Sequence, residues 1–322
     1  MSVIEELSTK VLRGELLCFE EAKELLAVEG DDIYELLVAA NRIRKKFTGN
    51  KVELCSIAAG KVGGCSEDCA FCAQSVHHKA VIKENSSLNR AEIVAKAVEM
   101  ENKGAHRFSL VNSGYGPSAE EFAEILNIFA EIRSKTKIKL CASLGVINQQ
   151  MARRLAGVGV TMYHHNVETS RSFFPKICTT HSYEDRLRTI EAVKKAGMKV
   201  CCGGVISMGE TAEQRLEMAF EIRSLDVHSV PVNILNPIRG TPLANQVVLS
   251  PLEILKTIAI FRFVMPAKLI RFAGGRIPGL RDLQAMGFMA GINASIIGDY
   301  LTTYGRSITQ DLRMIKDMGL EY

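Results

Sequence analysis

From Val52 onward, eight short runs of β-branched or apolar residues alternate with amphipathic stretches, and this alternation limits the chain to an α/β fold with repeated strand-helix units. The runs are 52–58, 106–112, 138–145, 160–168, 198–206, 229–236, 268–274 and 292–297. Helix-start signals stand between them: Asn89 with Glu92, Ser118 with Glu121, Thr211 with Gln214, Ser250 with Glu253 and Ser307 with Gln310. Each pairs a short acceptor side chain with Glu or Gln three residues on, and Pro251 adds the residue favoured at a first helical position. Eight units in about 270 residues fit a TIM-type (β/α)8 barrel, complete or partly open, better than a doubly wound sheet. Before the barrel, Ala22, Leu25, Leu26, Ile33, Leu36 and Leu37 recur with helical spacing. No Pro/Gly/Ser-rich linker intervenes, so the expected organisation is a helical N-terminal extension, 1–50, on one main domain, 51–322.

Composition narrows the function classes. With 322 residues, 47% hydrophobic and 24% charged, disorder is excluded as the main state. Forty basic against 36 acidic residues leave +4, too mild and too scattered for nucleic acid or a membrane surface, so a small-molecule partner is expected. Apolar runs such as 36–40 fall far short of the roughly 20 residues of a membrane helix. The opening residues show no basic-then-apolar signal pattern, and a cytoplasmic location is expected. Nine cysteines in such a setting stay reduced and point to metal or catalysis rather than disulfides.

The strongest chemical signal follows the first strand candidate: Cys65, Cys69 and Cys72 in GCSEDCAFC, residues 64–72. Three thiolates spaced by three and then two residues can wrap one soft metal centre, and three ligands on a four-iron cubane leave one iron open. Structural zinc is the alternative; it needs a fourth ligand, which His77 or His78 could supply. The unequal spacing, with Phe71 directly before the third cysteine, resembles the signature of radical S-adenosylmethionine (SAM) enzymes.

Continuing that motif through Ala73-Gln74-Ser75, and adding Tyr163-His164-His165-Asn166-Val167-Glu168, Lys199-Val200-Cys201-Cys202-Gly203-Gly204 and Gly240-Thr241-Pro242-Leu243, the chain resembles the biotin synthase family from about Lys51 to its end. The resemblance implies a radical SAM (β/α)8 barrel, usually homodimeric, that inserts sulfur into dethiobiotin with electrons from a donor such as flavodoxin or ferredoxin. It implies a [4Fe-4S] cluster on Cys65, Cys69 and Cys72 whose open iron binds SAM, with reductive cleavage giving a 5′-deoxyadenosyl radical that takes hydrogen from the substrate. Phe71 falls among the cofactor contacts. Asn166 and Glu168, two apart in the fourth strand candidate, share a face; the family uses these positions for SAM ribose and dethiobiotin, with aspartate usual at the second. Arg186 matches the partner of the SAM carboxylate, and Asn233 matches the reader of the substrate's cyclic urea. In the glycine stretch after the fifth strand, which would let adenosine approach the backbone, Ser207 replaces the common glycine.

The family's auxiliary cluster, commonly [2Fe-2S], uses three cysteines and an arginine. Cys141, Cys201 and Arg271 match three of these positions, while Ser109 occupies the fourth with a harder, poorer ligand for iron. Cys178, after the fourth strand, is favoured to replace the missing thiolate, which would permit another nuclearity such as [4Fe-4S]; the alternative keeps the ordinary site around Ser109. Cys202 should face away from Cys201, and Cys18 and Cys55 are expected to act as small apolar residues. Two competing activities remain: another radical SAM enzyme, of hydrogenase-cofactor or amino-acid-mutase type, and a non-catalytic zinc-stabilised scaffold. The joint presence of Asn166, Asn233 and Arg271 disfavours the first.

Overall fold

The computed structural model describes residues 2–85, 88–301 and 305–322. Its strands are β1 (Glu53–Lys61), β2 (Arg107–Asn112), β3 (Lys139–Ser143), β4 (Val160–His164), β5 (Lys199–Cys201), β6 (Gly204–Ile206), β7 (Ser229–Ile234), β8 (Leu269–Phe272) and β9 (Ala294–Ile296). All pairings are parallel, in the order β5-β4-β3-β2-β1-β9-β8-β7-β6, and a β5–β7 pairing closes the ring. With β5 and β6 counted as one interrupted strand, this is an eight-stranded parallel barrel surrounded by helices.

Two strand expectations need correction. The run 198–206 is broken at Cys202-Gly203, because β7 crowds it: a Cβ on Gly203 would lie 1.9 Å from the Pro231 carbonyl oxygen. The run 160–168 stops at His164. Beyond it the chain still tracks its neighbour, with His165 N–H donating to Cys201 and Val167 N–H to Gly203, both at 3.0 Å. At Glu168 a φ of 69° then turns it away. A left-handed conformation is uncommon for a residue with a Cβ and is often found at functional sites.

The five expected helix starts are all present, each with its side chain accepting a backbone N–H three residues on. A further reciprocal box, Ser182 with Asp185, opens the helix Tyr183–Lys195. The N-terminal helices Val3–Leu12, Phe19–Glu24 and Asp32–Thr48 share the hydrophobic core of the barrel's outer layer. Asp32–Thr48 packs along Pro251–Val264, and Lys256 donates to the Leu26 carbonyl at 2.7 Å. Among the described residues, no helix is long and apolar enough to cross a membrane.

Candidate functional site

The loop after β1 brings Cys65, Cys69 and Cys72 to the wall of one cavity of about 180 Å³, shared with His164, Asn166, Glu168 and Arg186. Backbone bonds shape the loop: Cys65 N–H to Gln74 at 2.9 Å, Val76 N–H to Cys65 at 2.9 Å, and Cys72 N–H to Cys69 at 2.9 Å. Cys69 is buried, and the other two are half-buried. His77 and His78 place their Nε2 atoms 3.0 Å from the carbonyls of Ser66 and Cys69. Neither ring lines the cavity of the three cysteines, and among the described residues neither is grouped with them closely enough to share a metal, so the fourth zinc ligand considered above is not in place.

Opposite the cysteines, the Arg186 guanidinium meets the Glu168 carboxylate at 3.2 Å and donates to the Asn166 carbonyl at 3.1 Å. Its buried Nε has no partner among the described residues. The Asn166 side chain accepts from Gly203 N–H at 3.0 Å and donates to Glu168 at 3.2 Å. Gly204 is required by the protein's own packing, since a Cβ there would lie 2.5 Å from the Glu168 carbonyl oxygen. Ser207 has φ 76°, a conformation that favours glycine, and its N–H is held by Glu210 at 2.8 Å.

A second cavity, of about 390 Å³, occupies the barrel interior. Its walls carry Cys55, Arg107, Ser109, Cys141, Cys201, Asn233 and Arg271, and it shares Phe71, Cys72, His164, Asn166 and Glu168 with the first. Strand register explains the convergence: Cys55 pairs with Arg107, Ser109 with Cys141, His164 with Cys201 and Pro231 with Arg271. Directly paired residues point to the same side of a sheet. Glu53 lies 2.5 Å from Arg271 and 3.6 Å from Arg107. Burial opposes its charge, but Arg271 and Arg107 hold its carboxyl below the usual range. Burial pushes the Cys55 thiol up to about 11 and raises Cys141 and Cys201 as well. Burial also lowers His164 to about 4, leaving a neutral ring whose Nδ1 is 3.4 Å from the Cys201 sulfur. Asn233 donates to the Gly204 carbonyl at 3.2 Å and accepts from Gly274 N–H at 2.9 Å, so its amide is fixed at the cavity wall.

Family models match in two parts, the Radical SAM superfamily over residues 61–222 and the Biotin and Thiamin Synthesis associated domain over 231–321. The biotin synthase of Heliobacterium modesticaldum is 53% identical over 319 residues, covering 99% of this chain and 98% of the relative. That of Carboxydothermus hydrogenoformans is 55% identical over 317 residues, covering 98% of each. The chain belongs to the biotin synthase family. The crystal structure of methylornithine synthase shares the fold, with a TM-score of 0.85, 21% identity and coverage of 98% of this chain and 96% of that one. The hydrogenase maturase HydG also scores 0.85, at 18% identity, over 99% of this chain and 74% of its own. These likenesses show the barrel and leave the activity to the family.

A biotin synthase uses SAM, a [4Fe-4S] cluster and an auxiliary iron-sulfur cluster, and the residues present fit all three. Three cysteines converge at the upper cavity, beside an arginine with an unpartnered buried Nε. In the barrel, two guanidiniums face one carboxylate, leaving an excess positive charge beside buried thiols, and Arg271 Nη1 has no partner among the described residues. Anionic thiolate ligands would neutralise that excess.

Cys178 does not join this group. Its sulfur is within 4.8 Å of the Cys69 sulfur and 3.3 Å from His181 Nδ1, and it is absent from the barrel cavity's lining. Its segment is held against the Cys65–Cys72 loop by Ala70 N–H donating to Ile177 at 2.8 Å. The expectation that Cys178 replaces the thiolate missing at Ser109 is therefore corrected. Sequence reasoning also missed Cys55, which faces the cavity instead of the apolar outer layer. The usable signal was its period-two relation to Glu53 and Ile57 in β1, an acidic residue on the same strand face. His164, adjoining Cys201, was likewise unassigned. Cys202 packs in the outer core, as expected from its alternation with Cys201, whereas Cys18 is exposed rather than apolar packing.

Proposed function

We propose that the two adjoining cavities perform successive parts of sulfur insertion into dethiobiotin. The observation that carries this reading is the joint lining of both cavities by Phe71, Cys72, His164, Asn166 and Glu168. A substrate there contacts the SAM side and the barrel interior at once. Cys65, Cys69 and Cys72 would hold the four-iron cluster, which when bound supplies the electron for reductive SAM cleavage to a 5′-deoxyadenosyl radical. Arg186 would receive the SAM carboxylate through its free Nε, while its Nη1 stays on Glu168 and Asn166. Glu168 and Asn166 would take SAM ribose hydroxyls, and Phe71 would pack against the cofactor. Asn233, with Asn166, would read the urea of dethiobiotin, since each amide retains one donor and one acceptor beyond the bonds described above.

Cys55, Cys141, Cys201 and Arg271 would hold the auxiliary cluster, with Ser109 lining its shell beside Cys141. His164, neutral and beside Cys201, would orient that sulfur. Residues 1–50 brace the barrel as an extension to a catalytic domain of 51–322. A homodimer, a flavodoxin- or ferredoxin-type electron donor and a cytoplasmic location complete the proposal; reduced thiols and a low-potential cluster suit that setting.

The test is anaerobic turnover with dethiobiotin deuterated at its methyl group. Deuterium should enter 5′-deoxyadenosine, with two SAM consumed per biotin. SAM cleavage without deuterium transfer would overturn the substrate assignment.

A further inference from the structure

The segment Ile177–His181 forms a clamp with the cysteine loop that the reaction described above does not use. Asp68 accepts the backbone N–H groups of Thr179 at 2.9 Å and Thr180 at 3.2 Å, and its carboxylate lies 3.1 Å from the Thr180 hydroxyl oxygen. Glu67 accepts from the Thr180 hydroxyl at 2.8 Å and lies 2.5 Å from His181 Nδ1. The clamp buries Cys178 and holds its sulfur within 4.8 Å of the Cys69 sulfur. Phe174 packs edge-to-face on His181, with ring centroids 5.8 Å apart, so the ring is fixed from its other side.

We propose that Cys178 is a positioning residue that donates a hydrogen bond to the cluster-bound Cys69 sulfur and thereby eases reduction of the four-iron cluster. This inference rests on the assignment of Cys65, Cys69 and Cys72 as the cluster ligands.

Hydrogen-bond direction decides the role. A cysteine sulfur bound to iron carries no proton and can only accept. His181 Nδ1, donating to the Glu67 carboxylate, has no lone pair left to offer a thiol. The Cys178 S–H then has the Cys69 sulfur, the Thr180 oxygen at 3.5 Å and His181 Nε2 at 3.8 Å as neighbours, and the anionic, iron-bound sulfur is the strongest acceptor of the three. Reduction adds negative charge to the cluster and its sulfurs, so a donor aimed at one of them stabilises the reduced form more than the oxidised form. Direct ligation by Cys178 would occupy the iron position that SAM needs. A hydrogen bond leaves that position open.

The experiment is an EPR-monitored redox titration of anaerobically reconstituted wild type, Cys178→Ala, Cys178→Val and Cys178→Ser, following the reduced four-iron signal that changes on adding SAM. Alanine and valine should keep wild-type iron and sulfide, shift the midpoint to a more negative potential and slow SAM cleavage with a limiting reductant. Serine, which retains a donor, should lie closer to wild type. Valine fills the space that alanine vacates, so a shift in both variants reports the lost donor rather than a packing defect. An unchanged midpoint in valine overturns the proposal, as does loss of four-iron content in both alanine and valine, which would make Cys178 necessary for holding iron. Absence of any SAM-sensitive four-iron signal in the wild type would overturn the ligand assignment itself, an outcome distinct from an unshifted midpoint.

Discussion

Replacing Arg186 with alanine removes two interactions of different kinds, which separate in different assays. Toward SAM, the loss is one charge-assisted hydrogen bond, worth about 1.5–3 kcal/mol, so affinity should fall roughly 10- to 150-fold. Toward the fold, the loss is the partner of Glu168, 3.2 Å away, with side-chain exposures of only 9% and 14%. At an effective dielectric of about 20, that separation corresponds to about 5 kcal/mol of Coulomb attraction. After desolvation is counted, stranding one member of a buried pair costs about 3–5 kcal/mol. Arg186→Lys keeps the charge but loses the planar fork and should show an intermediate loss of SAM binding. Equilibrium dialysis of SAM against anaerobically reconstituted protein measures the first term, iron analysis controls for cluster content, and urea unfolding measures the second. SAM affinity within twofold of wild type in Arg186→Ala, with iron retained, would refute the carboxylate role.

Asn233→Ala should raise KM for dethiobiotin about tenfold or more and leave SAM binding intact, because the amide meets the substrate's polar ring and is fixed by Gly204 and Gly274; an unchanged KM removes it from the site. Arg276 and Asp311 form an ion pair with both side chains 1% exposed. Arg276→Met should cost about 3–5 kcal/mol in urea unfolding, and Arg276→Met combined with Asp311→Leu should recover much of that loss. No recovery in the double variant would mean that packing, not the stranded carboxylate, sets the cost.

The barrel was legible because hydrophobic runs and helix caps report independently on the same alternation. Ser182 with Asp185 lies outside the pattern of Glu or Gln three residues after the cap, yet its aspartate bonds back here in the same reciprocal way. The break in 198–206 was not legible, since it arises from Pro231 on a strand about thirty residues away. The same limit explains the cysteines. Local spacing groups Cys65, Cys69 and Cys72 on one loop, but the places that Cys178 and Cys55 take depend on loop docking and strand register. Cys178 is held beside Cys69 by the Asp68 and Glu67 clamp, while Cys55 follows its pairing with Arg107 into the barrel. Glu168 was placed on the correct side by alternation, although its left-handed backbone takes it out of the strand.

Iron and sulfide analysis with Mössbauer spectra, on anaerobically reconstituted wild type, Cys55→Ala, Cys141→Ala and Cys178→Ala, tests the assignment of the two cavities most directly. Two clusters are expected in the wild type, with loss of only the auxiliary cluster in Cys55→Ala and Cys141→Ala, and both clusters retained in Cys178→Ala. Full auxiliary iron in Cys55→Ala together with its loss in Cys178→Ala would contradict the account, returning the missing thiolate to the loop after β4.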